Sequence, residues 1–414
     1  MKKIEIFEEV VDIMKHDSST CKDITGGDVD IYRSKITEEM SDMDFLYVMQ
    51  EYVATFEVKG HISFYETNSN INLDFKVQRY QDILYVTDVA TNSELKVGDK
   101  IVAVDGVPVK EFAELHKAFM YGEAEERQAY GWYRLLKFCK NVTIETENGQ
   151  TKTFAIGLAG EWEKKERYFC KDMGNKITYM RLADFDNEEA IQKMYAENDA
   201  LLSASEYLVI DVRGNGGGSD TAFFPLLKYC LPVGKKLTEL DLQMSGVEVN
   251  YTERNCNSRL ELISQYKQME LPEETLTVIE AMEAELLKQK GKGFVSDVQD
   301  IDVPVIGEEG VKHVYIITDA DCASAGDAFI ELMNASTRVT TVGRSTMGIQ
   351  DYSNICMLEL DKYTFNYPTS RLTDIDKGIW QMKKGVPVKV YVPWTPEFLE
   401  RDIDIEKVYE LIPS

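Results

Sequence analysis

The first residues of the chain, about 1–58, carry apolar side chains at helical spacing. In the opening segment these positions lie three or four residues apart or directly adjacent: Ile4, Phe7, Val10, Val11 and Met14. Such spacing puts apolar side chains on one face of a helix. A similar stripe runs from Phe45 to Phe56. The pattern therefore predicts an N-terminal helical segment.

From Gly60 onward the pattern changes to short runs typical of β-strands. Between about residues 75 and 158, apolar runs alternate with turn signals, and NVTIETENGQTKTFAIG predicts a hairpin with its turn at Asn148-Gly149. The same zone contains a predicted helical stretch from Glu111 to Phe138. This part of the chain is therefore expected to be rich in β-structure.

Beyond about residue 165, predicted strands and helices alternate. KITYMRL and YLVI are strand runs with a predicted helix over 187–203 between them, and HVYIITD is followed by a helix from near Ser324 and the strand RVTTVG. Strand–helix–strand order is typical of parallel crossover units in an α/β sheet. Residues 234–311 interrupt this core as an insertion.

Composition narrows the class of protein. The chain has 414 residues, enough for two or three domains, and a net charge of −26. Such an acidic surface repels phosphate backbones and anionic lipids, which argues against nucleic-acid and membrane partners. Acidic residues interrupt the N-terminal segment, no apolar run is long enough to span a membrane, and the seven cysteines are scattered. We therefore predict a cytoplasmic protein without a secretory signal.

Two loops carry the candidate chemistry, and each follows a predicted strand. The first is DVRGNGGGSD, residues 211–220, with four glycines within five positions. Such a backbone can approach a ligand closely, and its amides can bind a phosphate or a developing oxyanion. However, the chain lacks the Gly-Lys-Ser/Thr of a P-loop, and Ser219 stands where a dinucleotide fingerprint requires glycine. A tight turn without a ligand is the alternative.

The second loop is TDADCASAGDAF, residues 318–329. Small neighbours, Ala323 and Ala325, leave the Ser324 hydroxyl open to a substrate at a predicted helix N-terminus, which favours negative charge. Taken alone, Ser324 also fits the commoner role of an N-cap serine. Cys322 offers a second candidate nucleophile, although a buried, inert cysteine is the more typical interpretation. No metal-binding motif is present, so no metal site is predicted.

These segments resemble the family of C-terminal processing (tail-specific) proteases and the tricorn core protease, which are serine peptidases with an embedded PDZ domain. DVRGNGGG is similar to the family's D-L-R-G-N-x-G-G motif, and DADCASAGDAF to its nucleophile motif. LKVGDKIVAVDGVPV resembles late strands of the PDZ domain, and GVPVKVYVPWTPEFLERDIDIEKVYELI the usual C-terminal end. The four segments occur in the family's order and cover most of the chain from about residue 58.

The resemblance implies an α/β multidomain fold in three parts. An N-terminal helical segment would cover residues 1–74 and a PDZ-like β-rich domain residues 75–158. An α/β serine protease core with a ClpP/crotonase-like sheet would cover residues 159–414, including the insertion at about 234–311.

The resemblance also implies catalytic roles. Ser324 takes the place of the nucleophile, and the oxyanion hole would be formed by the Ala325 amide and an amide of the Gly216–Gly217 pair. Processing proteases place a lysine base in a T-F-G-K-G motif, but here Ile349 stands at the position of that lysine. Since isoleucine cannot accept a proton, a Ser–Lys dyad is absent.

The tricorn-like branch uses a histidine base that follows a glycine ahead of the PDZ domain. In VKGHISFY, His61 follows Gly60 in that place. A neutral imidazole near pH 7 suits an unactivated serine, so His61 is the predicted base. The other histidines are interpreted as structural: His16, His116 and His313.

A third group normally orients the imidazole of a catalytic histidine. Tricorn-like enzymes carry a glutamate just before the closing Gly-Val-x-Pro segment, but here Met382 and Gln381 stand in that region. The orienting group therefore stays open among Asp351, Asp374, Asp376, Gln381 and a backbone carbonyl.

The sequence thus predicts a serine endopeptidase that cleaves unfolded or C-terminal peptide segments without a cofactor. The partner would be a peptide or unfolded protein, held by the PDZ-like domain as an added strand. The oligomeric state stays open, with a homo-oligomer among the options. The alternative is a catalytically inactive, protease-like peptide-binding scaffold, because the lysine base and the glutamate are missing.

Overall fold

A computed structural model describes residues 1–69, 72–120, 124–158, 161–242, 245–269, 271, 273–297 and 303–413. The chain divides into two compact units. Unit 1 comprises residues 1–69, 244–300 and 351–380, and unit 2 comprises residues 70–243, 301–350 and 381–414. The three-part division at residues 74 and 158 stays a prediction. Within the described ranges, no helix is both long and apolar enough to cross a bilayer.

The described helices are mostly short. In chain order they are α1 (Lys3–His16), α2 (Val29–Lys35), α3 (Asp42–Ala54), α4 (Val109–Leu115), α5 (Ala129–Leu136), α6 (Glu188–Glu197), α7 (Asp199–Ala204), α8 (Leu227–Cys230), α9 (Glu253–Tyr266), α10 (Glu273–Gln289), α11 (Ala325–Asn334) and α12 (Ile403–Leu411). Short 3-10 turns add Ser19–Lys22, Glu125–Arg127, Asp220–Ala222, Phe224–Leu226, Leu237–Glu239, Thr373–Lys377 and Pro396–Leu399.

The described strands form three sheets. In chain order they are β1 (Ser63–Glu66), β2 (Phe75–Tyr80), β3 (Ile83–Val89), β4 (Lys100–Val104), β5 (Val107–Pro108), β6 (Asn141–Glu145), β7 (Thr151–Ala155), β8 (Tyr168–Asp172), β9 (Ile177–Leu182), β10 (Tyr207–Asp211), β11 (Val247–Tyr251), β12 (Gly293–Asp297), β13 (His313–Thr318), β14 (Val339–Gly343), β15 (Tyr352–Leu360), β16 (Tyr363–Leu372) and β17 (Val390–Tyr391).

Unit 1 is built around the long strand β16. This strand pairs antiparallel with β15 along its length and, on its other side, with β1 and β11, and β11 also pairs with β12. The predicted apolar stripes of α1 and α3 are their buried faces. Phe45 of α3 packs edge-on against Phe64 of β1 and Tyr363 of β16. The predicted N-terminal helices are thus confirmed.

Unit 2 contains the predicted α/β sheet. Its strand order is β17-β14-β13-β10-β9-β8, all parallel except β8. Helices cover both faces, so alternate residues of β10 enter different cores: Leu208 packs in the core that contains Phe329 of α11, and Val209 in the core that contains Val408 of α12. The crossover β13–α11–β14 is therefore as predicted, and both candidate loops leave adjacent strands at the same sheet edge.

A second, antiparallel sheet in unit 2 has the order β2-β3-β4-β6-β7, with β5 beside β4. The predicted β6–β7 hairpin is confirmed. The predicted continuous helix from Glu111 to Phe138 is wrong, because α4 and α5 are separate and residues 121–123 lie outside the described ranges. The chain folds back tightly here: a Cβ atom at Gly131 would lie 2.1 Å from the Phe119 carbonyl oxygen.

Candidate active site

Ser324 occupies the first position before α11 in a strained conformation. Its φ and ψ are 57° and −116°. A non-glycine residue at such angles costs about 1–3 kcal/mol and persists only when its surroundings hold it there. Here the Ser324 N–H donates to the Asp327 carboxylate at 2.8 Å. The helix start is therefore capped by Asp327, and Ser324 is held at the turn between β13 and α11.

Asp327 is the centre of a buried hydrogen-bond cluster. Besides Ser324, its carboxylate accepts the amide N–H groups of Gly348 at 2.7 Å and Ile349 at 3.0 Å. Burial raises the pKa of the Asp327 carboxyl, while the Thr346 hydroxyl and these amides oppose that rise. Asp327 thus ties the nucleophile loop to the loop at 345–349.

Asn215 ties the glycine-rich loop to the nucleophile loop. It is fully buried, and its carbonyl oxygen accepts the Ala323 N–H at 2.8 Å. Its side-chain oxygen accepts the Gly217 N–H at 2.9 Å, and its side-chain N–H donates to the Leu182 carbonyl at 3.2 Å. The position of the glycine loop is therefore fixed relative to Ser324.

Two of the glycines are required by close backbone contacts. A Cβ atom at Gly217, where φ is +99°, would lie 2.7 Å from the Ser324 Cβ and 3.1 Å from the Ala325 nitrogen. A Cβ atom at Gly218, where φ is +135°, would lie 2.2 Å from the Phe185 carbonyl carbon. A side chain at Gly217 would therefore push the loop away from Ser324, and one at Gly218 would push it away from the Phe185 backbone.

The predicted oxyanion amides differ in their availability. The Gly217 N–H is already bound to Asn215. Among the hydrogen bonds of the described residues, none uses the N–H of Gly216 or of Ala325, and Gly216 is exposed. Ala325 is the first residue of α11, where the helix dipole favours negative charge. The Ala325 amide is therefore placed to stabilise an anion beside Ser324, and the Gly216 amide is a second unused donor in the glycine loop.

Charged side chains anchor the base of the glycine loop. Asp211 at the end of β10 accepts hydrogen bonds from the Tyr179 hydroxyl at 2.7 Å and from Arg181 and Arg213. Burial alone would raise the pKa of the Asp211 carboxyl, but the two arginines hold it below its ordinary value. Arg213 also pairs with Asp404 of α12 at 3.1 Å.

The surroundings of Ser324 in unit 2 are apolar where processing proteases carry lysine. Ile349 is buried in a cluster with Ala323 and Met347. Cys322 is also buried, and burial raises the pKa of its thiol well above the ordinary value, which disfavours a reactive thiolate. These observations agree with the loss of the lysine base and with an inert Cys322.

His61 lies in unit 1, in the turn between α3 and β1, and is partly buried. Its Nδ1 atom is hydrogen-bonded to the Tyr352 carbonyl oxygen. Because a carbonyl oxygen can only accept, Nδ1 carries the proton in this bond. In a neutral imidazole the lone pair is then on Nε2, which is the tautomer that a general base requires.

The Tyr352 carbonyl is itself well fixed. Tyr352 pairs with Arg371 across β15 and β16, and its hydroxyl donates to Asp23 at 3.1 Å. The fully buried Arg371 binds three carboxylates, those of Asp23, Glu248 and Asp376. The backbone carbonyl that contacts His61 therefore belongs to a rigid part of the unit 1 sheet.

The other predicted orienting residues have different neighbours. Asp376 binds Arg371, and Asp374 pairs with Lys377 at 2.7 Å. The Gln381 amide donates to Glu331 at 3.1 Å in unit 2, and Asp351 is buried in unit 1. Orienting roles for Gln381 and Asp351 stay predictions.

The remaining histidines have other neighbours. His16 contacts Asp12 within α1, the His116 ring packs against Phe112 in a tilted arrangement with ring centroids 4.5 Å apart, and His313 contacts the Thr340 hydroxyl at 2.8 Å. Each has a neighbour that accounts for its position, as a structural histidine would.

Comparison with known proteins decides the family. The profile of peptidase family S41 matches residues 176–392, which is more than half of the chain. The chain belongs to peptidase family S41. It is therefore a serine-type peptidase, and peptides or proteins are its substrate class. A search of curated proteins finds no significant match.

Solved structures share the fold of this S41 peptidase. Mature CPAF complexed with lactacystin is 14% identical, with a TM-score of 0.64, over 99% of this chain and 97% of that chain. Mature CPAF is 13% identical, with a TM-score of 0.64, over 99% and 96%. The photosystem II D1 C-terminal processing protease is 15% identical, with a TM-score of 0.49, over 100% and 98%. At such identities the likeness to CPAF concerns the fold alone.

In this S41 peptidase, two residues that hold the nucleophile and glycine loops were not predicted from the sequence, Asn215 and Asp327, nor was Tyr352 named as the residue whose carbonyl binds His61. A signal existed for Asp327, because it follows Ser324 by three residues, the spacing of a capping box. Asn215 lies inside the glycine-rich motif, but its side-chain bond to Gly217 requires the folded loop. Tyr352 contributes a backbone carbonyl, which any residue has, so no side chain could signal it.

Proposed function

We propose that this S41 peptidase is an endopeptidase in which Ser324 is the nucleophile and His61 the general base. The observation that carries the proposal is Ser324 at the N-terminus of α11, next to the unused amide of Ala325 and in close contact with the glycine loop at Gly217. Such amides act as an oxyanion hole in acyl transfer. The bond from Nδ1 of His61 to the Tyr352 carbonyl, which in a neutral imidazole leaves the lone pair on Nε2, supports the role of His61.

The reaction follows two acyl-transfer steps. Nε2 of His61 takes the Ser324 hydroxyl proton as Oγ attacks the scissile carbonyl, and the carbonyl oxygen becomes an anion held by Gly216 and Ala325. His61 returns the proton to the leaving amine as the C–N bond breaks, which leaves an acyl-serine ester. Water then attacks the ester with His61 again as base, releasing the new carboxyl end and restoring Ser324.

The hydrogen bonds favour one glycine of the predicted Gly216–Gly217 pair as the second oxyanion donor. Because Asn215 occupies the Gly217 N–H, we assign the second donor to Gly216. Loss of one oxyanion donor typically costs about 100–1,000-fold in rate. Gly217 then serves the site through its close contact with Ser324.

Substrate binding would involve a groove in unit 2 of about 280 Å³. Strand β2, an edge of its sheet, and helix α5 line the groove, with Phe75, Tyr130 and Tyr133 among its walls. An edge strand can accept an extended peptide as an added strand. Asp321, three residues before Ser324, also lines it, so a peptide in the groove would approach the nucleophile loop. This supports the PDZ-like assignment and unfolded or C-terminal segments as substrates.

A second candidate function is a peptide-binding scaffold without activity. Ile349 in place of lysine favours it, because Ile349 is buried among apolar side chains and cannot accept a proton. The cytoplasmic location and the oligomeric state remain predictions under either function.

The test is cleavage of a pool of unstructured peptides, with new termini mapped by mass spectrometry. We expect wild-type protein to cleave and Ser324→Ala and His61→Ala to lose cleavage while keeping their thermal stability. His16→Ala, an exposed histidine of α1, is the matched control and should retain full activity. Unchanged cleavage by Ser324→Ala would refute the nucleophile. Peptide binding without cleavage by any variant would establish the scaffold.

A further inference from the structure

The insertion contains a helical hairpin in unit 1 that leaves apolar side chains in solvent. Helices α9 and α10 pack against each other through Cys256, Ile263, Ile279 and Leu286. Two side-chain contacts set their antiparallel register, Lys267 with Glu283 and Lys290 with Asn257. The hairpin thus has its own small core, and its exposed apolar residues are not needed to hold the helices together.

Five apolar residues form what we call the apolar patch: Leu262, Tyr266, Met269, Val278 and Met282. Each is between 44% and 59% exposed. Leu262 and Tyr266 lie one helical turn apart on α9, as do Val278 and Met282 on α10. Because Lys267 contacts Glu283, Tyr266 and Met282 lie at the same level of the hairpin. At about 100° per residue, both stripes fall on the same side of the helix pair.

The charge around the apolar patch is mostly negative. Residues 260–286 contain seven glutamates and a single lysine. Among the described residues, Glu261, Glu273 and Glu280 have no ion-pair partner. A chain with a net charge of −26 repels a second copy of itself, so self-association through this face is disfavoured. An apolar surface within a negative field instead favours a positively charged, partly apolar partner.

We propose that the apolar patch is a docking surface for a cationic, amphipathic polypeptide segment. Such a segment would place apolar side chains at i and i+4 against Tyr266 and Met282, and lysines or arginines against the surrounding glutamates. In a peptidase, this surface would bind such a segment of a protein substrate in addition to the part of the substrate that is cleaved. The assignment of the segment to a substrate rests on the proposed function; the binding does not.

The test measures binding to Ser324→Ala protein, so that the probe is not consumed. The probe is a fluorescein-labelled peptide of about 20 residues with leucine and lysine at helical spacing. A second peptide carries glutamate in place of every lysine. Fluorescence anisotropy is recorded at about 50 mM and about 300 mM NaCl. The patch variant is Tyr266→Ser with Met282→Ser. Leu287→Ser is the matched control, because Leu287 is 60% exposed on the other side of α10.

We expect the patch variant to bind the lysine peptide about tenfold more weakly, and Leu287→Ser to bind it like the parent. Higher salt should weaken binding, and the glutamate peptide should not bind. If the patch variant unfolds at a lower temperature, Glu261→Lys with Glu280→Lys replaces it, with the same expected loss. Equal binding by patch and control variants would overturn the proposal. The proposal would also be overturned if light scattering showed that the parent protein forms a dimer and that the patch variant does not.

The link to proteolysis is tested separately. An unfolded protein substrate with a basic amphipathic segment should show a raised KM with the patch variant of the active chain and an unchanged kcat. A short peptide without that segment should be cleaved equally by both. If the short peptide is not cleaved at all, the proposed function fails while the binding result still stands.

Discussion

The replacement of Asp327 by asparagine separates the role of its charge from that of its shape. The two side chains have nearly the same size, so packing around the fully buried Asp327 is preserved. The carboxylate accepts amides of Ser324, Gly348 and Ile349 with two oxygens. Asparagine has one oxygen and an NH2 group, which would point at an amide N–H in either rotamer. At least one buried amide of the cluster therefore loses its acceptor.

The expected magnitude follows from these contacts. An unsatisfied buried donor costs about 1–3 kcal/mol, and bonds to a charged acceptor are worth about 1.5–3 kcal/mol each. Asparagine is uncharged, so the variant no longer bears the desolvation cost of a buried charge, and this offsets part of the loss. We therefore expect Asp327→Asn to lower the free energy of unfolding by about 2–4 kcal/mol. If about 2 kcal/mol of Ser324 alignment is lost, the cleavage rate falls about 30-fold.

The assay combines urea unfolding with peptide cleavage at a temperature where the variant stays folded. Glu197→Gln is the control for loss of one negative charge, because Glu197 is an exposed residue of α6 with only a distant contact to Lys193. This control should change neither the free energy of unfolding nor the cleavage rate by much. The reasoning would be refuted if Asp327→Asn matched wild type in unfolding free energy and in kcat/KM.

Three further predictions concern stability. Gly218→Ala should lower the free energy of unfolding in urea by about 3 kcal/mol, because its Cβ would lie 2.2 Å from the Phe185 backbone. Arg127→Gln should lower the free energy of unfolding by about 2–4 kcal/mol in the same assay, since the buried arginine donates to three carbonyls of the 345–347 loop. Glu206 contacts Lys176 and Lys312, which lower its pKa to about 2. Glu206→Gln should therefore lower the melting temperature at pH 7, with the difference lost as pH falls from the ordinary Glu range towards about 2.

Each of the three stability predictions has a result that would contradict it. Gly218→Ala with unchanged stability would mean that the loop yields easily at Phe185. Wild-type stability of Arg127→Gln would mean that water replaces the guanidinium at those carbonyls. A melting-temperature difference for Glu206→Gln that persists at the lowest pH, or that resists salt, would show that the ion pairs with lysine are not its cause.

The sequence predicted many of the elements and the two loops that carry the candidate chemistry. Apolar periodicity predicted α1, α3 and the crossover β13–α11–β14, because a helix or strand buries a face that its own local pattern defines. The two loops at 211–220 and 318–329 could be predicted as one site, because adjacent parallel strands end at the same sheet edge. The break between α4 and α5 was missed, because it depends on the close contact of Gly131 with Phe119.

Only the tertiary structure decided which hydrogen-bonding groups of the candidate loops already have a partner within the described part of the protein. Asn215 takes the Gly217 amide and leaves that of Gly216, a choice made by hydrogen bonds within the folded loop. The partner of His61 is the backbone carbonyl of Tyr352, 291 residues away and set by the pairing of β15 with β16. Local sequence patterns record burial, which is a property of one segment. Hydrogen-bond partners depend on the register between segments that are distant in the chain, and that register exists only once the chain has folded.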